Sequence, residues 1–145
     1  MKSNSFREQL RRNAVALISL VIAITSLLYN TWRNEHSEHN RNQRWASFQT
    51  LLVLGELQEL VYIYYHDPST ADSSDMRRGW AKVLTIRNLA EVLDDPLPAS
   101  ASELHGVWDT NWVGLQERDR GSRDRINEAI EAFRMDTLAS LKELD

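Results

Sequence analysis

The chain has 145 residues, 42% of them aliphatic or aromatic, which is enough for one domain with a real core and too apolar for a disordered chain. It contains no Cys, which excludes disulfides, thiol nucleophiles, zinc ribbons and iron–sulfur clusters. The net charge of −4 is unevenly spread: residues 1–13 carry +3, residues 14–32 none, and the remainder −7, so its acidic body is a poor match for phosphate backbones and no nucleic-acid partner is expected.

Residues 1–13 read as a short basic tail with Lys2, Arg7, Arg11 and Arg12 against Glu8. Ala14–Leu28 (AVALISLVIAITSLL) then runs without charge, Pro or Gly, and Tyr29 and Trp32 follow as aromatics suited to a headgroup layer. As a helix, 14–32 measures roughly 28 Å, close to the ~30 Å hydrocarbon core of a bilayer. No Ala-x-Ala-like cleavage site follows, and the polar face of a soluble helix is missing. The expectation is an uncleaved transmembrane helix over 14–32, a signal-anchor. Basic residues before it outnumber those in its outer flank (Arg33, Arg41, Arg44), which points to the N-terminus inside and the rest outside, in a bacterial inner membrane. Within the segment, Ala16, Ser19, Ala23 and Ser26 recur at spacings of 3, 4 and 3, a seam of small residues that lets helices approach in lipid and projects on to Asn30 and Arg33. Tyr29, Trp32 and Arg33 are the candidate lipid-interface contacts, Arg33 by reaching up to phosphate.

Nothing obliges the helix to stop at the membrane: the first Gly is Gly55 and the first Pro is Pro68. Residues 33–44 are predicted as a polar juxtamembrane helix whose Asn, Ser and His residues are mediocre helix formers, so a bend is admissible there. In EHSEHN, Glu35 and His39, and His36 and His39, share a helix face. These two or three ligands fall short of a closed metal site, so no metal or other cofactor is expected and the stretch reads as a solvated, lipid-contacting collar.

Residues 45–145 are predicted as an antiparallel bundle of about four helices, all-α, with the first helix entering from the membrane. Trp45, Phe48, Leu51, Leu52, Leu54, Leu57, Leu60, Val61 and Tyr64 recur at helical spacing, and Gln49, Glu56 and Glu59 mark a narrow polar stripe. A helix so broadly apolar is expected at the centre or against a second partner. HDPSTADSSD (66–75) reads as a loop. A helix over 75–94 carries Trp80, Val83, Leu84, Leu89, Ala90 and Leu93, and DDPLPAS breaks it. Ser100 and Glu103 form a capping box for a helix bearing Leu104, Val107, Trp108, Trp112 and Leu115. After the turn ERDRGS (117–122), a last helix from Ser122 or Arg123 carries Ile126, Ala129, Ile130, Phe133, Leu138 and Leu141. The aromatics Trp45, Trp80, Trp108, Trp112, Tyr62, Tyr64 and Tyr65 are expected to fill the core.

No G-x-S-x-G, H-E-x-x-H, phosphate loop or calcium loop occurs, and Asp94–Asp95 sits at a predicted helix end beside Pro96. The expectation is a non-enzymatic single-pass membrane protein, an anchored interaction or accessory subunit. Its partners would be membrane lipid and either another membrane protein or a second copy met through the span. The alternative is a membrane-anchored sensor holding a small ligand between helices.

Overall fold

The structure, a computed structural model, describes residues 11–66 and 73–144; the side chains of 73–76 and Asp145 lie outside the description. Residues 1–10 of the basic tail and 67–72 of the expected loop are likewise outside it. The described residues form four helices and no strand: α1 (Ala14–His66), α2 (Ser73–Ala90), α3 (Leu97–Gln116) and α4 (Arg120–Glu143). The chain divides into two compact units, Met1–His39 and Asn40–Asp145.

In the first unit, α1 is helical from its start, where the Leu17 amide donates to the Asn13 carbonyl at 2.9 Å. Helical backbone continues through the Asn- and His-containing stretch, where propensity alone left room for a break.

The second unit holds one core to which all four helices contribute. From α1 come Ala46, Leu54, Leu57, Leu60, Val61 and Tyr64; from α2 Val83, Ile86 and Ala90; from α3 Leu97, Ala101, Leu104, Trp108 and Leu115; from α4 Ile126, Ile130 and Phe133. α2 lies against α3 and α3 against α4.

Two close approaches fix this packing. A Cβ on Gly79 of α2 would stand 2.5 Å from Cζ2 of Trp108, so the indole occupies the space a side chain would need. A Cβ on Gly114 of α3 would overlap the side chain of Ser122 in the first turn of α4.

The helix ends depart from the expected ones. α2 stops at Ala90 rather than near Asp94. Gln43 of α1 explains the stop: its Nε2 donates to the Val92 carbonyl at 3.1 Å, and its Oε1 accepts from the Asp94 amide at 3.2 Å. α3 starts at Leu97, not at Ser100, with Pro96 at its N-cap, Pro98 in its first turn and no side-chain cap. Ser100 instead donates to Asp136 Oδ2 on α4 at 2.7 Å, so the capping box is replaced by a tertiary bond. α4 starts at Arg120, capped by Asp119, whose carboxylate accepts from the amides of Gly121 and Ser122.

The expected core stripe of α1 is corrected as well. Leu54, Leu57, Leu60, Val61 and Tyr64 are buried, but Trp45, Phe48 and Leu52 are exposed. Between Gln43 and Thr50 the buried residues are Gln43, Ala46, Ser47 and Thr50 instead. Thr50 Oγ1 satisfies itself on the Ala46 carbonyl at 2.8 Å. Among the aromatics, Trp108 and Tyr64 are buried and Trp80, Trp112 and Tyr65 half-buried, while Trp45 and Tyr62 are exposed rather than core.

Candidate functional surfaces

Two surfaces stand out, one in each unit. The first is the apolar segment of α1. Among the described residues, α1 is the one helix long and apolar enough to cross a membrane, and none of its most apolar stretch is buried in protein. Val15, Leu17, Ile18, Leu20, Val21, Ile22, Ile24, Leu27 and Leu28 are all exposed. Alternation with polar residues, which would give a soluble helix its wet face, is missing.

The small residues Ala16, Ser19, Ala23 and Ser26 are exposed along this segment. Their 3, 4, 3 spacing places them on one helix face. At its end, Tyr29 and Trp32 are exposed, with ring centroids 6.2 Å apart. Trp32 stacks on His36 at 6.0 Å with an interplanar angle of 4°, a contact one helical turn apart that sequence reading did not anticipate. Arg33 is exposed beside this aromatic group. Glu35, His36 and His39 are exposed too, and among the described residues no group of three or more His, Asp or Glu gathers in metal-binding geometry.

The second surface is a ridge on α1 within the Asn40–Asp145 unit. Trp45, Phe48 and Leu52 are 61%, 58% and 63% exposed, values more typical of charged side chains than of large apolar ones. Beside the ridge, Arg44, Phe48, Leu138, Leu141 and Lys142 line an open groove of about 300 Å³. Arg44 donates to the Leu144 carbonyl at 2.6 Å, joining the end of α4 to this part of α1. A further groove lies between α1 and α2, lined by Glu56, Glu59, Leu60, Ile63, Arg78 and Lys82 and crossed by the Lys82–Glu56 ion pair.

Elsewhere the polar contacts are those of a folded scaffold. Arg125 Nε donates to Asn111 Oδ1 at 2.7 Å, and Asn111 Nδ2 donates to the Val107 carbonyl at 2.7 Å. Arg123 lies over the Tyr65 ring, 4.3 Å from its centroid, and its interaction with Asp124 raises its pKa. The hydroxyl and amide of Ser122, both donating to Asp119, hold that carboxyl below the usual carboxylate range. Asp94 and Asp95 are exposed. Comparison of the chain with protein-family models, curated proteins and solved structures gave no match.

Proposed function

We propose that the chain is a non-enzymatic, single-pass membrane protein: an anchored interaction or accessory subunit. In this reading 14–32 is a signal-anchor span, 33–44 a polar juxtamembrane helix, and 45–145 an antiparallel helical bundle. The N-terminus is inside, and the acidic domain lies outside the inner membrane of a bacterial cell.

The observation that carries the reading is the exposure of the nine large aliphatic side chains between Val15 and Leu28. Moving that apolar surface out of water is worth on the order of 20 kcal/mol. A typical domain is stabilised by only about 5–15 kcal/mol in total. A chain that left such a surface in water would aggregate; dissolved in lipid, the same surface becomes an anchor. Tyr29, Trp32 and Arg33 then meet the headgroups.

The mechanism is tethering. A span confines the domain to a thin layer and raises its effective concentration toward other membrane-bound proteins. The small seam Ala16, Ser19, Ala23 and Ser26 supports helix contact within lipid, and the Trp45–Phe48–Leu52 ridge supports contact outside it.

The reading is tested by in-cell cross-linking followed by purification in mild detergent. A stable partner or a defined oligomer is the expected result; a strictly monomeric, partner-free species in both contradicts it. A reporter fused after Asp145 tests the sidedness.

A further inference from the structure

The end of α1 and the start of α4 bring together groups that lie far apart in sequence. His66 and Arg123 share one aromatic ring. The Arg123 guanidinium lies over Tyr65, 4.3 Å from its centroid. The His66 imidazole meets the same ring edge-on, at 5.0 Å and 78°, and stands 4.5 Å from the Tyr62 ring. Two N–H donors are thus held by aromatic rings before any ligand arrives, which lowers the ordering cost of binding.

Beside them is a pocket of about 100 Å³ lined by Gln58, Val61, Tyr62, His66, Arg123 and Asn127. It is well below the ~300–1,000 Å³ of a drug-sized site. At ~30 Å³ per water it has room for about three waters, or for one small ion. Its chemistry is one-sided: every lining residue but Val61 carries an N–H or O–H donor, and no carboxylate is among the described lining residues. Gln58 gives its Oε1 to Arg134, which leaves its Nε2 to donate. No hydrogen bond joins the half-buried Asn127 to a described residue.

Charge points the same way. Arg123 Nε donates to Asp124 Oδ1 at 2.9 Å, and Arg120 Nε stands 3.7 Å from Oδ2 of the same carboxylate. A carboxylate shared by two guanidinium groups does not neutralise both. Arg123 turns Nε and Nη2 toward one oxygen of Asp124. Those contacts serve the fold, and they leave Nη1 over. A guanidinium edge with amide and imidazole donors around it suits an acceptor with several oxygens.

We infer that this pocket binds a small phosphate group, held by His66, Arg123 and Asn127. A phosphate there ties the end of α1 to α4, which gives the domain a small-ligand input. The site lies within the Asn40–Asp145 unit and does not depend on the membrane-anchored reading.

The test melts the full-length chain, in mild non-ionic detergent at neutral pH, in sodium phosphate and in sodium chloride of equal ionic strength. Millimolar phosphate raises the melting temperature by about 3 °C over chloride. Arg123→Gln removes the rise, and His66→Leu and Asn127→Leu each diminish it. Arg123→Lys keeps part of it, because lysine retains the charge and loses the fork. Lys142→Gln, at the other end of α4, keeps it in full. Each variant is compared with itself in the two salts, so a lower starting stability does not mimic the loss. Equal melting in both salts overturns the inference. So does a rise that survives both Arg123→Gln and Asn127→Leu, which means phosphate acts only by exclusion from the protein surface. Melts in nanodiscs separate two sources of the same group. A phosphate response unchanged by phosphatidic acid in the disc supports a dissolved phosphate. Stabilisation by phosphatidic acid that replaces the phosphate response, and that Asn127→Leu reverses, supports a lipid headgroup.

Discussion

Trp108 has 0% exposure and sits where Gly79 leaves it room, so the two positions act as one. Gly79→Ala forces the indole or the helix to shift and is expected to destabilise by about 1–3 kcal/mol in a denaturant melt, despite the better helix propensity of alanine. At Arg118 the opposite holds. Its φ of 57° puts a side chain in the left-handed region at the end of α3, where the Asp119 amide closes onto the Gly114 carbonyl at 2.8 Å. Arg118→Gly is expected to raise the melting temperature, with a gain of up to about 1 kcal/mol. Asp119 gives a pH signature. Its folded pKa is lowered, first by the Ser122 hydroxyl and then by the Ser122 amide. A lowered folded pKa stabilises above the ordinary carboxylate value of about 3.9, and the contribution is lost as pH falls through the lowered value. Asp119→Ala therefore melts below the parent at pH 7, and the gap narrows as pH drops below about 4.

Among the elements, α1 shows how far periodicity reaches and where it stops. The helix was legible from Ala14 to His66, because no Pro interrupts it and apolar residues recur at helical spacing. Which of its faces meets the core was legible from Leu54 to Tyr64 but not between Gln43 and Thr50. Trp45, Phe48 and Leu52 outweigh Ala46, Ser47 and Thr50 in hydrophobicity, yet the small and polar side is the buried one. Hydrophobicity ranks residues singly, while burial also depends on side-chain size and on the bonds that Gln43 and Thr50 make. Helix starts failed for a related reason. Ser100 and Glu103 give a strong local cap signal, but Asp136, 36 residues away in sequence, takes the Ser100 hydroxyl. Asp119 preceded the expected start of α4 by three residues and was itself the cap signal, hidden within a charged string. The Trp32–His36 stack was not legible, because it needs the helix to be continuous. Gln43 tests the tertiary control of helix ends. It is 3% exposed and holds both Val92 and Asp94. Gln43→Leu strips the Asp94 amide and the Val92 carbonyl of their side-chain partner and is expected to cost about 1 kcal/mol. Gln43→Glu keeps the acceptor for the Asp94 amide but loses the donor to Val92, and is expected to lower stability in the same melt.

For the whole molecule, two properties of one chain have to be reconciled: an acidic, well-packed set of helices and an uncharged helical segment with its aliphatic side chains uncovered. In the proposed reading a bilayer reconciles them, since each part would then have the solvent its surface calls for. The most direct measurement is fractionation of cells producing the full chain, with the membranes washed in alkaline carbonate. The chain is predicted to stay with the pelleted membranes, and a variant carrying both Leu20→Lys and Ile24→Lys to move into the supernatant, because charges at the centre of a span cost several kcal/mol. Recovery of the unaltered chain in the soluble fraction, folded and free of lipid, would contradict the account.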